Sequence, residues 1–181
     1  MNELSEEIIY PENYEVKYHP DITFIIPAYN EEKRISYIIN ELCNYIDENN
    51  LNWNIIISID GNDNTKNIVN DYSRKYDFIT MDHSKLRSGK GNAIKRALLN
   101  HGSILNDFVI FMDADNSIKF DEILNAIKNI DNNDVIILNR YAKENDIPFL
   151  RKFLGRTFNL ITRGFLRLKI SGTILTVVIN K

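Results

Sequence analysis

The chain is predicted to fold as an α/β protein, a Rossmann-like and mainly parallel sheet with helices on both faces. Two observations carry this. Short apolar, β-favouring runs alternate along the chain with amphipathic stretches of helical period. Each apolar run also stops at turn formers or carboxylates, as strands do when they deliver loops to one rim of an open sheet. Right-handed crossovers place those loops on the same rim although they lie far apart in sequence.

The elements follow in order. Residues 1–20 read as a weakly structured extension. Residues 21–27 (DITFIIP) form a first strand stopped by Pro27, and Ala28-Tyr29-Asn30-Glu31 makes a turn. A helix is expected over 31–49, because Ile35, Ile38, Ile39, Leu42 and Ile46 recur at three and four. Residues 53–59 (WNIIISI) form a second strand, ending at the turn formers of 60–65, which lead into a helix over 65–76. A short strand at 78–81 precedes Arg87-Ser-Gly-Lys-Gly-Asn-Ala93. That segment opens a helix with Ala93, Ile94, Ala97 and Leu98 on one face. A strand over 107–112, a helix over 120–130 and a strand over 134–138 complete the alternation, the last ending at Asn139-Arg140-Tyr141. The chain divides into the extension, a core over 21–142, and a basic amphipathic segment over 143–181.

Composition bounds the function. The 181 residues suit one domain or slightly more, with enough apolar residues for a sizeable core. A net charge of −3 gives no argument for a nucleic-acid partner. The charge is uneven, however. Residues 149–170 carry six basic side chains and no acid, so that segment is +6 and the remainder −9. Such asymmetry points to an anionic partner. Cys43 is the single cysteine, so no internal disulfide forms, and an intracellular location is expected. Residues 1–20 lack the basic start and apolar stretch of a signal peptide. No run reaches the roughly 18 apolar residues of a membrane-spanning helix.

The rim loops carry the chemistry. Asp113 and Asp115 follow an apolar strand with one residue between them. They form either a solvated loop or a cation site, and Mg²⁺ or Mn²⁺, which take oxygen ligands and bridge to phosphate, would relieve their repulsion. Gly89-Lys90-Gly91 at a helix start is an anion cradle or an ordinary turn. Its glycines allow close backbone approach, the helix end favours negative charge and Lys90 adds a cation. Asp60 either caps the next helix or accepts a hydrogen bond from a base or ribose. Tyr29 either stacks on a base or covers the sheet edge, and Glu31 either caps its helix or touches a ligand. His83 and His101 read as surface or capping residues, and Cys43 as a core residue. Together the loops describe a nucleotide edge, a diphosphate cradle and a metal, which suits a nucleoside diphosphate carrying a leaving group.

Ile25-Ile-Pro-Ala-Tyr-Asn-Glu-Glu32, the Asp-Gly turn at Asp60, Gly89-Lys-Gly-Asn-Ala93, Asp113-Ala-Asp115 and Asn139-Arg-Tyr141 resemble the motifs of family 2 glycosyltransferases with the GT-A fold, in order and approximate spacing. Within these the chain looks most like polyprenyl-phosphate hexosyltransferases of the dolichyl-phosphate glucosyl- and mannosyltransferase type. Glu31-Glu-Lys-Arg34 and the stretch after Asp113 lean toward the glucosyl branch. The resemblance covers about 21–171. It implies that Pro27, Ala28, Tyr29 and Glu31 line the base and ribose pocket, that Asp60 contacts the base, and that Lys90 lies near the nucleotide. It also implies that Asp113 and Asp115 hold Mg²⁺ or Mn²⁺ on the diphosphate. The donor implied is UDP-glucose or GDP-mannose, and the acceptor a polyprenyl phosphate. The turn at Asp60 departs from the family pattern: it is one residue shorter and lacks the first acid.

A lipid phosphate is already an anionic nucleophile and needs positioning rather than a general base. Arg140 and Arg151 match arginines that serve the acceptor phosphate in the family, and guanidinium grips phosphate bidentately. Within 149–170, aromatic and aliphatic residues interleave with the basic ones. This suits a helix lying on an anionic membrane surface on the cytoplasmic side, or alternatively a helix packed on the sheet. After Ser171 the chain leaves the family pattern. A shifted reading frame from the third base of the Thr173 codon can restore Asp-Thr-x-Cys-Gly-Tyr-Lys, so a frameshifted or truncated product is expected. The β-branched tail over 173–180 is expected to form an unpaired, aggregation-prone edge.

Overall fold

In the run ITFIIPAY every residue is apolar, aromatic or β-branched, and it forms β1 (Ile22–Tyr29), a strand buried at every position but Pro27 and Tyr29. Burial on both faces is what a central parallel strand requires. The computed structural model describes residues 20–115, 119–128, 135–139 and 174–180. After β1 come α1 (Ile35–Asn49), β2 (Asn54–Asp60), α2 (Thr65–Lys75), β3 (Ile79–Ser84), α3 (Lys90–Asn100), a 3-10 turn (Gly102–Ile104), β4 (Phe108–Phe111), α4 (Phe120–Ile127), β5 (Val135–Asn139) and β6 (Ile174–Asn180).

The sheet order is β3-β2-β1-β4-β6-β5. The first four strands are parallel, with Tyr29 beside Asp60 and Asp60 beside Ser84 at their C-terminal ends. The order turns back between β1 and β4, and a crevice opens there because β4 stops pairing early, at Ile25 opposite Phe111. Met112 N–H donates to the Ile25 carbonyl at 3.2 Å, so Ile25 turns its backbone toward β4. Pro27, two residues on, faces the same side. Its missing N–H therefore falls where the ladder has already ended, which is why a proline fits in a central strand.

Two expectations are corrected. The tail is not an unpaired edge. As β6 it is inserted antiparallel between β4 and β5, with Phe111 opposite Val177 and Val135 opposite Ile179. A β-branched run with two free backbone edges is satisfied by ladders on both sides, and β5 becomes the outer strand. The first helix also begins at Ile35 rather than 31, because residues 31–34 form a turn in which Arg34 and Ile35 N–H both donate to the Glu31 carbonyl at 2.9 Å. Since β4 and β5 are both antiparallel to β6, they run the same way, and Asn139 ends at the rim where β4 ends.

Side chains alternate between the two faces of the sheet. Phe24, Ile26, Ile55, Ile57 and Ile59 pack with Ile35, Ile38, Ile39, Leu42 and Ile46 of α1 and with Phe120, Ile123 and Ile127 of α4. Trp53 is buried in this layer and donates to the Pro20 carbonyl at 2.9 Å. The opposite face is thinner, with Ile25, Ile56 and Val109 against Ala97 of α3. Small residues on α3 let it approach closely, and Ser58 and Asp60, which share a side of β2 with Ile56, turn toward it.

Candidate active site

The C-terminal ends of β1 and β4 and the start of α3 enclose a cavity of about 310 Å³. Pro27, Ala28, Tyr29 and Glu31 line it from the end of β1, Asp60 from β2, Lys90 from α3, and Asp113 and Asp115 from the turn after β4. All eight were singled out from the sequence, and the topology brings them together. Arg87, Gly89, Ala93 and Ala114 complete the lining. Arg140 and Arg151, the helix expected over 149–170 and the residues just after Asp115 lie outside the described residues.

Asp60 is the most enclosed of these carboxylates, at 3% exposure. Ser88 N–H and Oγ donate to its Oδ2 at 2.7 and 2.8 Å, Gly89 N–H donates at 3.2 Å, and Arg96 Nη1 donates to Oδ1 at 3.0 Å. It therefore does not cap α2, the simpler role its position suggested; it anchors the turn that leads into α3. Any bond to a base competes with these four. Burial alone would raise its pKa, but the Ser88 and Arg96 bonds outweigh burial and hold it below the ordinary value of 3.8.

Arg96, which holds Asp60 from behind without lining the cavity, is a residue that sequence reasoning missed. Its Nε donates to Asp82 Oδ2 at 2.6 Å, and its Nη2 donates to Ser58 Oγ at 2.8 Å and the Ile59 carbonyl at 3.3 Å. Ser58 in turn donates to Asp82 at 2.7 Å, and Asn100 donates to the other Asp82 oxygen at 3.1 Å. One guanidinium thus ties β2, β3 and the Gly89 turn together from α3. Burial again works against the Asp82 carboxylate, and the bonds from Ser58, Arg96 and Asn100 lower its pKa overall. The signal was present in the alternation of β2. Ser58 and Asp60 are polar at positions two apart in an otherwise apolar strand, so a polar partner had to come from the helix on that face.

The other carboxylate group is built differently. Asp113 lies two residues beyond β4, and its Oδ1 meets Lys90 Nζ at 2.5 Å, with the two side chains 24% and 47% exposed. Asp115 is exposed in the same turn. Among the described residues there is no cluster of three or more His, Cys, Asp or Glu able to hold a metal. Two carboxylates alone match Mg²⁺ or Mn²⁺, which are held by one or two carboxylates together with substrate phosphates and water.

Tyr29 is 43% exposed, and the Arg87 guanidinium sits over its ring at 4.2 Å from the centroid, a cation–π contact at the cavity mouth. Glu31 turns back to Arg34, accepting from Nε at 2.8 Å and Nη2 at 2.9 Å, while its N–H donates to Thr65 Oγ1 at 2.8 Å. Glu32 N–H donates to Asp63, and Asn64 N–H donates to Glu32, both at 3.0 Å. These bonds lock the first rim loop to the second. Gly61, at φ +120°, packs so close to Asn30 that a Cβ there would overlap its side chain. His101 closes the C-terminal end of α3 and lies 3.6 Å from Asp82, while burial and Lys66 lower the His83 pKa. Cys43 is in the core, its thiol raised to about 11 by burial.

The family model described as Glycosyl transferase family 2 matches residues 23–179. A dolichyl-phosphate beta-glucosyltransferase of Trichomonas vaginalis is 34% identical over 156 residues, covering 77% of this chain and 45% of that protein. The chain therefore spans about half the length of the curated relatives it matches. Among solved structures, TarS of S. aureus in complex with UDP-GlcNAc superposes with a TM-score of 0.52 at 25% identity, over 71% of this chain and 37% of that one. Glucosyl-3-phosphoglycerate synthase of Mycobacterium tuberculosis, with Mn²⁺, UDP and phosphoglyceric acid, superposes with a TM-score of 0.58 at 16% identity, over 89% of this chain and 56% of that one. The latter likeness speaks to the fold, which is the GT-A arrangement: helices around a sheet whose strands β3, β2, β1 and β4 run parallel.

Proposed function

The chain belongs to glycosyl transferase family 2, and from that premise we propose that it binds a nucleoside-diphosphate hexose at the β1/β4 crevice for transfer to a polyprenyl phosphate. The observation that carries this reading is the convergence of Tyr29, Lys90, Asp113 and Asp115 on one cavity. An aromatic face, a cation at a helix start and two carboxylates are the parts that a base, a diphosphate and a divalent cation each need.

Tyr29 offers the base its face, and Pro27, Ala28 and Glu31 shape the wall behind the ribose. Asp60 acts on the same end of the cavity by holding the Ser88–Gly89 turn in place. Lys90 pairs with diphosphate oxygens. Asp113 and Asp115 hold Mg²⁺ or Mn²⁺, which when bound supplies Lewis-acid stabilisation of the departing diphosphate. The acceptor phosphate oxygen attacks the anomeric carbon, and the bond from that carbon to the diphosphate oxygen breaks, with inversion. Arg140 and Arg151 orient the acceptor phosphate, and the basic segment over 149–170 rests on an anionic, cytoplasmic membrane face. The relatives' names favour glucose as the sugar and dolichyl phosphate as the lipid. Among the described residues no helix is long and apolar enough to cross a membrane.

The test is transfer of labelled sugar from UDP-glucose or GDP-mannose to a short polyprenyl phosphate, with and without Mn²⁺, read beside binding of each nucleotide. Lipid-linked sugar formed only with metal is the expected result. Nucleotide binding without product defines a nucleotide-sugar-binding fragment instead. The transferase reading is then lost if a longer chain, continued as the relatives continue, is equally inactive.

A further inference from the structure

Lys90 opens α3, Asp113 follows β4, and the two meet across the cavity at 2.5 Å. A dication on this carboxylate, whether on Oδ1 or on Oδ2, would stand close beside the ammonium on Oδ1, and the two cations repel each other across one side chain. Lys90 and a divalent cation are therefore rivals for Asp113 as long as the cavity holds no anion. A diphosphate changes the balance. Its oxygens give the ammonium a second place within the same cavity, and anions then separate the two cations. The pair is half-solvated, so Lys90 can leave at little cost.

We propose that Lys90 is a built-in placeholder for the metal, which makes divalent-cation binding and nucleotide binding mutually dependent. The inference rests on the reading of the cavity as a nucleotide-sugar site and adds to it a sign. Lys90 opposes the metal when the nucleotide is absent and supports the nucleotide when the metal is present. Linkage makes the coupling reciprocal: whatever factor the nucleotide adds to metal affinity, the metal adds to nucleotide affinity.

The experiment uses the full 181-residue chain. Mn²⁺ is titrated without nucleotide, by the loss of its free electron-paramagnetic-resonance signal. UDP and GDP are then titrated calorimetrically at saturating Mn²⁺. In K90M, Mn²⁺ alone is expected to bind up to about fivefold tighter, the scale of a half-exposed ion pair. The diphosphate that the wild type takes is expected to bind about tenfold or more weaker, through loss of a charge-assisted hydrogen bond. K90R, which keeps the cation, is expected to leave Mn²⁺ affinity within about twofold of wild type. Opposite signs in the two titrations of K90M support the inference. Unchanged or weaker Mn²⁺ binding in K90M overturns it while leaving the nucleotide site standing. A wild-type chain that binds neither diphosphate with Mn²⁺ overturns the site reading and this inference together.

Discussion

Asp60 and Asp113 sit at the ends of strands on either side of β1, and both face the same cavity, yet their surroundings are opposite. Asp60 is buried, accepts four hydrogen bonds and shares Arg96 with Asp82. Asp113 is partly exposed, with Lys90 as its ion-pair partner and Asp115 two residues on in the same turn. The first group is closed: every donor of the guanidinium is used, and the carboxylates are held by neighbours that cannot leave without loss of structure. The second is open to exchange, since its partner is a flexible lysine with solvent on one side. On a rim of acidic strand ends, burial and the number of fixed donors separate carboxylates that build the wall from carboxylates that can take a ligand.

The largest expected effect lies in the closed group. R96M leaves Asp60 and Asp82 buried beside no guanidinium. It is expected to cost about 3–5 kcal/mol in urea unfolding. A loss under about 1 kcal/mol, the scale of a surface pair, would erase the distinction between the groups.

In the open group the expected effect falls on binding. D113N is expected to weaken Mn²⁺-dependent nucleotide binding by at least about 10–100-fold, the range that even second-shell changes at metal sites reach. Its unfolding free energy is expected to stay within about 0.5 kcal/mol of wild type. Calorimetric titration beside urea unfolding reads both.

Between these stands Gly61, in the turn that follows Asp60. G61A forces a side chain into the φ +120° conformation and against Asn30, and is expected to cost about 1–3 kcal/mol. Thermal unfolding checks it, and a neutral result would mean that the Asn30–Gly61 contact relaxes freely.

The smallest effect is in acid. Asp60 and Asp82 have folded-state pKa values below the ordinary 3.8, so they bind fewer protons folded than unfolded near that pH. Their contribution to stability is complete above about pH 3.8 and is lost as pH falls through the folded values. R96M, which removes a cause of the lowering, is expected to show a shallower acid loss than wild type in urea midpoints measured across that window.

The sequence resolved what local pattern controls. The run around Phe24 to Ile26 and the helical spacing of Ile35, Ile38, Leu42 and Ile46 place β1 and α1 within a few residues of where they lie. The rim residues Tyr29, Asp60 and Asp113 were legible because each follows an apolar run at a turn, and Lys90 because glycines flank it at a helix start. What long-range pairing controls was not legible. Arg96 looks like a solvated helix residue, and its carboxylate partners lie 36 and 14 positions away. The tail over 174–180 is apolar and β-branched enough for a strand, but nothing local to it indicates that β4 and β5 stand apart to admit it. The lock between Glu32 and Asp63 was hidden for the same reason, two polar loops each looking complete alone.

The most direct test of the division between wall and ligand carboxylates is a thermal-unfolding measurement on D82N and D113N, each with and without Mn²⁺ and the nucleotide sugar that wild type binds. A ligand that binds the folded state raises its melting temperature by mass action. The prediction is a lowered baseline with the ligand-induced rise retained for D82N, and an unchanged baseline with the rise abolished for D113N. A D113N chain that still shows the full metal-dependent rise would contradict the account.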